Sequence, residues 1–292
     1  MSTLIRCLSR FFWWCRRTSS ARPQKDHIEE IHEEVTSSIR YAQRIQEAVL
    51  PSNEQLNEIL KQYFIIYKPC NIVSGDFYWV TQINNWILFG VADCTGHGVP
   101  GGFMSMLGIS FLNEIILKDE VTNAAEILDL LRVNMISSLK QKGSIDEQKD
   151  GLDIALCAIN TDNLMFEYAG AYNPCYIVRK QSSESNNNPK VELHEFKGDK
   201  MPIAIHQHME PFSLKEFQLL KGDSIYLFSD GFADQFGGPS RKKFLTQNLR
   251  NTLIKINNLD FEFQKNELEK TFQEWKGEYN QVDDVTVLAI KI

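Results

Sequence analysis

Four aspartates placed where apolar runs begin or end constrain this chain more than anything else in it. They are Asp76 in Ser74-Gly75-Asp76-Phe77-Tyr78, Asp93 in Val91-Ala92-Asp93-Cys94-Thr95-Gly96-His97-Gly98, Asp230 in Phe228-Ser229-Asp230-Gly231, and Asp283 in Asp283-Asp284-Val285-Thr286-Val287. More than 200 residues separate the first from the last. Carboxylates at strand ends can still converge on one point across such a distance. Without a counter-charge they repel and raise one another's pKa. A hard divalent cation resolves the conflict, because Mg²⁺ and Mn²⁺ prefer oxygen donors. The pattern predicts a fold that gathers strand ends around metal, and a two-metal hydrolase as its chemistry.

The 292 residues, 43% of them hydrophobic, suffice for one large domain or a domain with an appendage. A net charge of −7 argues against a general nucleic-acid binder, whose footprint is basic. Cysteines stand at 7, 15, 70, 94, 157 and 175, with no C-x-x-C pair and no zinc-spaced Cys/His cluster. Free thiols of this kind fit a reducing cytosol. No run of 18 apolar residues is present, so no membrane-spanning helix is expected. Residues 1–25 carry six basic side chains and no acidic one around Phe11-Phe12-Trp13-Trp14. They read as an unstructured tail or as a segment resting on an anionic membrane face. The expected location is cytoplasmic, with peripheral membrane contact as the second reading.

From Asp26 to Leu50 the pattern is helical. Ile28, Ile31, Val35, Ala42, Ile45 and Val49 follow an a/d repeat, Ser38 is a polar d position, and Pro51 ends the run. About three heptads are marginal alone, so this helix pairs with its copy in a homodimer or packs on the domain that follows. Its polar opposite face favours pairing. The organisation expected is a tail (1–25), a linker helix (26–54) and one domain (55–292).

Strands are expected at Tyr63–Tyr67, at Asp76–Thr81 and Trp86–Ala92 as a hairpin turning at Asn84-Asn85, at Leu152–Ile159 and Leu164–Ala169, at Cys175–Val178 and Val191–Phe196 around a polar loop 181–189, and at Phe217–Leu220, Ser224–Phe228 and Val285–Ile292. Helical spacing appears after Pro100, over Asn123–Gln141, over Arg241–Ile256 and over Phe261–Trp275. Strands surrounding two helix pairs suggest a four-layer α/β/β/α sandwich with two central, mainly antiparallel sheets, preceded by the linker helix.

These residues resemble a known family. Val73-Ser74-Gly75-Asp76-Phe77-Tyr78, Ala92 to Gly101, Ala169-Gly170-Ala171-Tyr172-Asn173-Pro174, Leu227-Phe228-Ser229-Asp230-Gly231 and Asp283 to Val287 are similar, in order, to the motifs of metal-dependent serine/threonine phosphatases of the protein phosphatase 2C (PPM) type, in particular the bacterial SpoIIE-like branch. The resemblance spans residues 63–292. Tyr41-Ala42-Gln43-Arg44-Ile45-Gln46 and Leu50-Pro51 also resemble the linker preceding such domains. It implies two Mn²⁺ or Mg²⁺ ions held by Asp76 and Asp93, with the backbone carbonyl of Cys94 a further ligand and Asp230 and Asp283 completing the second metal site. Asp284, adjacent to Asp283, stays open as the alternative. The implied substrate is phosphoserine or phosphothreonine on a regulatory partner of a partner-switching pathway, such as an anti-sigma-factor antagonist.

Several residues carry two readings. His97 is a general acid for the leaving oxygen or a hydrogen-bonding residue of a glycine-rich turn. Eukaryotic members have Asp-Gly-His-Gly, whereas here Cys94 and Thr95 stand between Asp93 and Gly96. Cys94 lacks a C-x5-R context and sits beside an aspartate, so it is not expected to act as a nucleophile. Gly96, Gly98, Gly101 and Gly102 serve a tight turn or close approach to a ligand, the turn being favoured. Lys68 reads as a surface lysine rather than a phosphate contact, and Met104 and Met106 as core or helix-interface residues rather than a binding stripe. Two other functions compete with the phosphatase. A GHKL-like ATP-binding kinase would use the Asp93 loop but has no need of Asp230 or Asp283. A catalytically silent phosphoprotein-binding domain would not be expected to keep all four carboxylates.

Overall fold

The structure is a computed structural model, and it describes residues 27–119, 121–144, 149–181 and 190–292. The basic aromatic tail (1–25) and the polar loop at 182–189 lie outside the described residues. Residues 27–49 form helix α1. Its repeat residues Ile28, Ile31, Val35 and Ile45 are all exposed. The last turn, from Gln46, belongs to a compact unit that runs to Ile292.

Two five-stranded sheets build that unit. One runs in the order β1 (Tyr63–Lys68), β12 (Val285–Lys291), β9 (Ser224–Phe228), β6 (Cys175–Gln181), β7 (Lys190–Phe196). The other runs β2 (Phe77–Ile83), β3 (Trp86–Cys94), β4 (Leu152–Asn160), β5 (Met165–Ala171), β8 (Lys215–Gln218). Every neighbouring pair is antiparallel. The β2–β3 hairpin turns at Asn84-Asn85, with Asn84 at φ 52°, a left-handed position that asparagine tolerates.

Three apolar layers make this a four-layer sandwich. Phe89, Val91, Cys157, Ile177, Leu227 and Leu288 fill the space between the sheets. Leu88, Ala92 and Ile154 point the other way, toward α3 (Gly98–Asp119) and α4 (Ala124–Ser138). Tyr226, Phe228, Val287 and Ala289 meet α6 (Thr246–Ile256) and α7 (Phe261–Lys276) on the outer face of the first sheet. Alternate residues of the central strands therefore serve different cores, which explains their unbroken apolar runs. By length and composition α3 could span a membrane, with mean hydropathy 1.3, but half of that stretch is buried inside the fold. Ile109, Leu112 and Ile115 are among the buried residues. Asn123 caps α4, its side-chain oxygen accepting from the N–H groups of Ala125 and Glu126.

One local expectation needs correction, and one helix adds to the expected elements. The helix expected from Arg241 starts at Thr246. The residues before it form a short hairpin of β10 (Phe236–Gly237) and β11 (Lys242–Lys243). Arg241 at φ 46° and Leu245 at φ 74° cannot continue a right-handed helix, and the hairpin is tied to α7 by Gly238 N–H donating to the Trp275 carbonyl. A helix that the apolar pattern does not announce, α2 (Asn53–Ile59), precedes β1. Its Ser52 and Gln55 form a reciprocal capping box, a signature that was present in the sequence.

Candidate metal centre

The sandwich brings one end of both sheets together, and the aspartates come with it. Asp76 immediately precedes β2 and Asp93 lies in the last turn of pleat of β3. Asp230 follows β9 and Asp283 precedes β12. A fifth carboxylate, Asp153 at the start of β4, stands directly across the ladder from Asp93. Sequence reading missed it, because Leu152-Asp153-Ile154 looks like ordinary strand alternation. The strand register alone places it here.

Electrostatics show how tightly the group is drawn together. Burial lifts Asp93 to about 9, and the charges of Asp76, Asp230, Asp283 and Asp153 add to the rise. Asp76 is 1% exposed and is pushed up to about 8, chiefly by burial, with the Ser229 hydroxyl pulling the other way. Burial and then Asp230 raise Asp153 to about 7. Asp230 is raised by burial and by Asp283, and Asp283 by burial, with a backbone hydrogen bond opposing it. Such a cluster is poorly stable as five bare anions.

Asp283 and Asp284 play different parts. Both Asp284 oxygens are taken by backbone: Oδ1 accepts from Cys70 N–H at 2.6 Å and Oδ2 from Gly75 N–H at 2.7 Å. Asp283 accepts from Asp284 N–H at 2.8 Å and lines a cavity of about 350 Å³ that also borders Asp93, Thr95, His97, Lys149 and Asp153. Ser229, another residue not singled out by sequence, donates from Oγ to Asp76 Oδ2 at 2.5 Å and accepts from Thr286 N–H at 3.0 Å. The Cys94 thiol is buried and raised well above its ordinary value by burial and then by Asp93, so it is held as a neutral thiol. His97 is exposed on the cavity wall, its Nδ1 lying 2.9 Å from the Asn71 amide nitrogen.

Backbone crowding explains the glycines. A Cβ at Gly101 would stand 2.2 Å from the Gly96 carbonyl oxygen, and one at Gly75 would stand 2.5 Å from the same atom. Gly98 has φ 67°. These glycines let three stretches of main chain meet and turn, and no ligand is needed to account for them. Lys68 pairs with Glu269 of α7 at 3.2 Å and does not line the cavity, whereas Lys149 does. Met104 is buried in the core between sheet and helices.

The donor set fits a hard cation. All of its side-chain donors are carboxylate oxygens, there is no zinc-like Cys/His grouping, and the repulsion among them calls for positive charge. Among the described residues no group of three or more His, Cys, Asp or Glu side chains is arranged to hold a metal ion as it stands. The fit to Mg²⁺ or Mn²⁺ rests on the oxygen donors alone, since these ions prefer oxygen and keep several waters.

Comparison with known proteins identifies the family and the fold. The family described as stage II sporulation protein E (SpoIIE) matches residues 84–292. The phosphoserine phosphatase RsbU of Bacillus subtilis (strain 168) is 25% identical over 212 residues, which cover 70% of this chain and 56% of that protein. The chain thus matches little more than half the length of that relative. Among solved structures, the SiaA-PP2C domain of Pseudomonas aeruginosa superposes with a TM-score of 0.78 at 29% identity, over 89% of this chain and 98% of that one. The PP2C phosphatase domain of SpoIIE from Bacillus subtilis, solved with a fragment of its regulatory domain, shares the fold with a TM-score of 0.60 at 18% identity, over 79% and 62% of the two chains. None of these matches supports an ATP-binding kinase.

Proposed function

We propose, given that the chain belongs to the SpoIIE family of PP2C-type serine/threonine phosphatases, that it hydrolyses phosphoserine or phosphothreonine on a regulatory partner protein. The gathering of Asp76, Asp93, Asp153, Asp230 and Asp283 at one end of the sandwich, beside an open cavity, carries this reading. Asp76, Asp93, Asp230 and Asp283 would hold two Mg²⁺ or Mn²⁺ ions, with the Cys94 carbonyl as a further donor. Asp284 is the loop anchor, each of its oxygens accepting a backbone N–H, and Asp283, which lines the cavity, is the ligand. Bound ions of this kind supply a water of lowered pKa and offset the charge of phosphoryl oxygens.

The chain itself supplies positioning and electrostatics, which dominate phosphoryl transfer. Ser229 fixes which Asp76 oxygen faces the centre. Lys149 presents a cation to the phosphoryl group from the cavity wall. His97 keeps Nε2 for the leaving serine or threonine oxygen, its Nδ1 being engaged by Asn71. The buried, neutral Cys94 takes no part as a nucleophile. A small phosphoprotein such as an anti-sigma-factor antagonist suits the family, and the exposed a/d face of α1 suits pairing with a second copy of this chain.

The test is phosphate release from p-nitrophenyl phosphate and from a phosphoserine peptide, with and without Mn²⁺. Manganese-dependent release that disappears in a folded Asp93→Asn protein supports the reading. ATP binding without phosphomonoesterase activity would replace it with the kinase, and metal binding without any turnover would leave a silent binding domain.

A further inference from the structure

Gln46 lies in the last turn of α1, is 3% exposed, and has no role in the chemistry above. A buried side-chain amide is costly unless all its hydrogen-bonding groups are matched, so its partners identify its job. Its Oε1 accepts from Ser74 N–H at 3.0 Å and its Nε2 donates to the Ser74 carbonyl at 2.6 Å. That is a two-point clamp on one residue's main chain, the pairing a neighbouring strand would give. The second Nε2 hydrogen goes to Ser105 Oγ of α3 at 2.7 Å, and Ser105 Oγ donates in turn to the Gly102 carbonyl at 2.9 Å.

The clamped residue is two positions from Asp76. Ser74 Oγ accepts from Asp76 N–H at 3.0 Å, and Asp284 takes the N–H between them, that of Gly75. Three successive N–H groups, at 74, 75 and 76, therefore end on side-chain acceptors, two of which come from remote parts of the chain. Packing leaves little slack: Val73 is buried, and a Cβ at Gly102 would lie 3.3 Å from Val73 and 3.6 Å from Gln46 Nε2.

We infer that Gln46 is a positioning residue for the metal centre. It sets the Ser74-Gly75-Asp76 loop through the Ser74 main chain and ties that loop to α3 through Ser105. Outer partners that orient a ligand commonly govern metal affinity as well as rate. The inference rests on the phosphatase reading only in taking Asp76 as a cation ligand.

The experiment uses the full chain and Gln46→Leu, which keeps the volume and removes every hydrogen bond. Mn²⁺ affinity by calorimetry and hydrogen exchange at amides 74–76 are read beside activity. Leu268→Ala, on the buried face of α7 in a different core cluster, supplies a variant of lowered melting temperature that removes none of the loop's hydrogen bonds. Gln46→Leu is expected to weaken Mn²⁺ binding about tenfold or more and to speed exchange at 74–76, with kcat falling more than KM rises. Ser105→Ala, which loses one of the three bonds, should fall between. Should Gln46→Leu not fold, Gln46→Asn, one methylene short of Ser74, gives the same readings. Wild-type affinity and exchange in a folded Gln46 variant, or a loss no larger than that of Leu268→Ala, would overturn the inference. Failure of the phosphatase reading would look different: a wild-type protein that binds Mn²⁺ and releases no phosphate.

Discussion

Replacing Asp284 by asparagine separates two neighbouring carboxylates that sequence alone leaves interchangeable. Asp284 accepts from two backbone N–H groups, of Cys70 and Gly75. Asparagine keeps one acceptor oxygen and turns an NH₂ toward the other donor. One hydrogen bond to a charged acceptor is lost, at about 1.5–3 kcal/mol, and a buried N–H is left without a partner. The net cost is about 2–3 kcal/mol, which for a domain of this size lowers Tm by about 4–12 °C. The Asp283→Asn change is of the opposite kind. It removes a charge from a repelling cluster while sparing the loop, so the metal-free Tm holds or rises and the stabilisation gained from Mn²⁺ shrinks. Differential scanning calorimetry of both variants, each with EDTA and with Mn²⁺, reads the difference. Equal metal-free Tm values for Asp284→Asn and wild type, or a metal-free loss confined to Asp283→Asn, would refute the assignment of anchor and ligand.

Three further outcomes are expected. Cys94→Ala should keep phosphatase activity within a few-fold of wild type, measured as phosphate release; loss of activity with the fold and Mn²⁺ affinity intact would restore the thiol to the mechanism. Burial and mutual repulsion raise Asp76, Asp93 and Asp153 to about 8, 9 and 7 in the metal-free protein, above the unfolded value of about 4. The folded state then binds more protons than the unfolded one across that window, so metal-free stability falls as pH rises from about 4 to 9. Mn²⁺ binding at pH 7 should release protons, seen as a buffer-dependent calorimetric enthalpy, and a buffer-independent enthalpy would contradict it. Ile31→Glu with Val35→Glu should shift any dimer to monomer in light scattering; an unchanged mass, whether dimeric or monomeric, would remove α1 as the interface.

The fold was legible wherever side-chain periodicity matched burial. The β2–β3 hairpin, the α3–α4 pair and the sandwich itself follow from apolar runs that serve two cores at once. Asp76, Asp93, Asp230 and Asp283 announced themselves because each interrupts such a run at its end, and the structure draws all four to one place. Asp153 and Ser229 did not. Asp153 joins the site through its cross-ladder position opposite Asp93, and that register is a property of paired strands. Asp284 looked like a duplicate of Asp283 until its oxygens were seen to meet main chain more than 200 residues upstream. Gln46 sat in a recognisable linker motif, but only the packed loop shows what it holds. The error at Arg241–Leu245 has a local cause, since two positive-φ residues break a helix that their composition would permit.

The position of β12 has a consequence for synthesis. This strand lies inside its sheet, between β1 and β9, yet it is translated after both. When Tyr63 leaves the ribosome, the partner it needs is still about 220 codons away, a wait of about 10–45 s at roughly 5–20 residues per second. Asp283 and Asp284 arrive together with that strand, so the nascent polypeptide carries β1 as an unmatched edge and has no complete centre. The centre proposed above therefore stays incomplete until β12 closes the sheet.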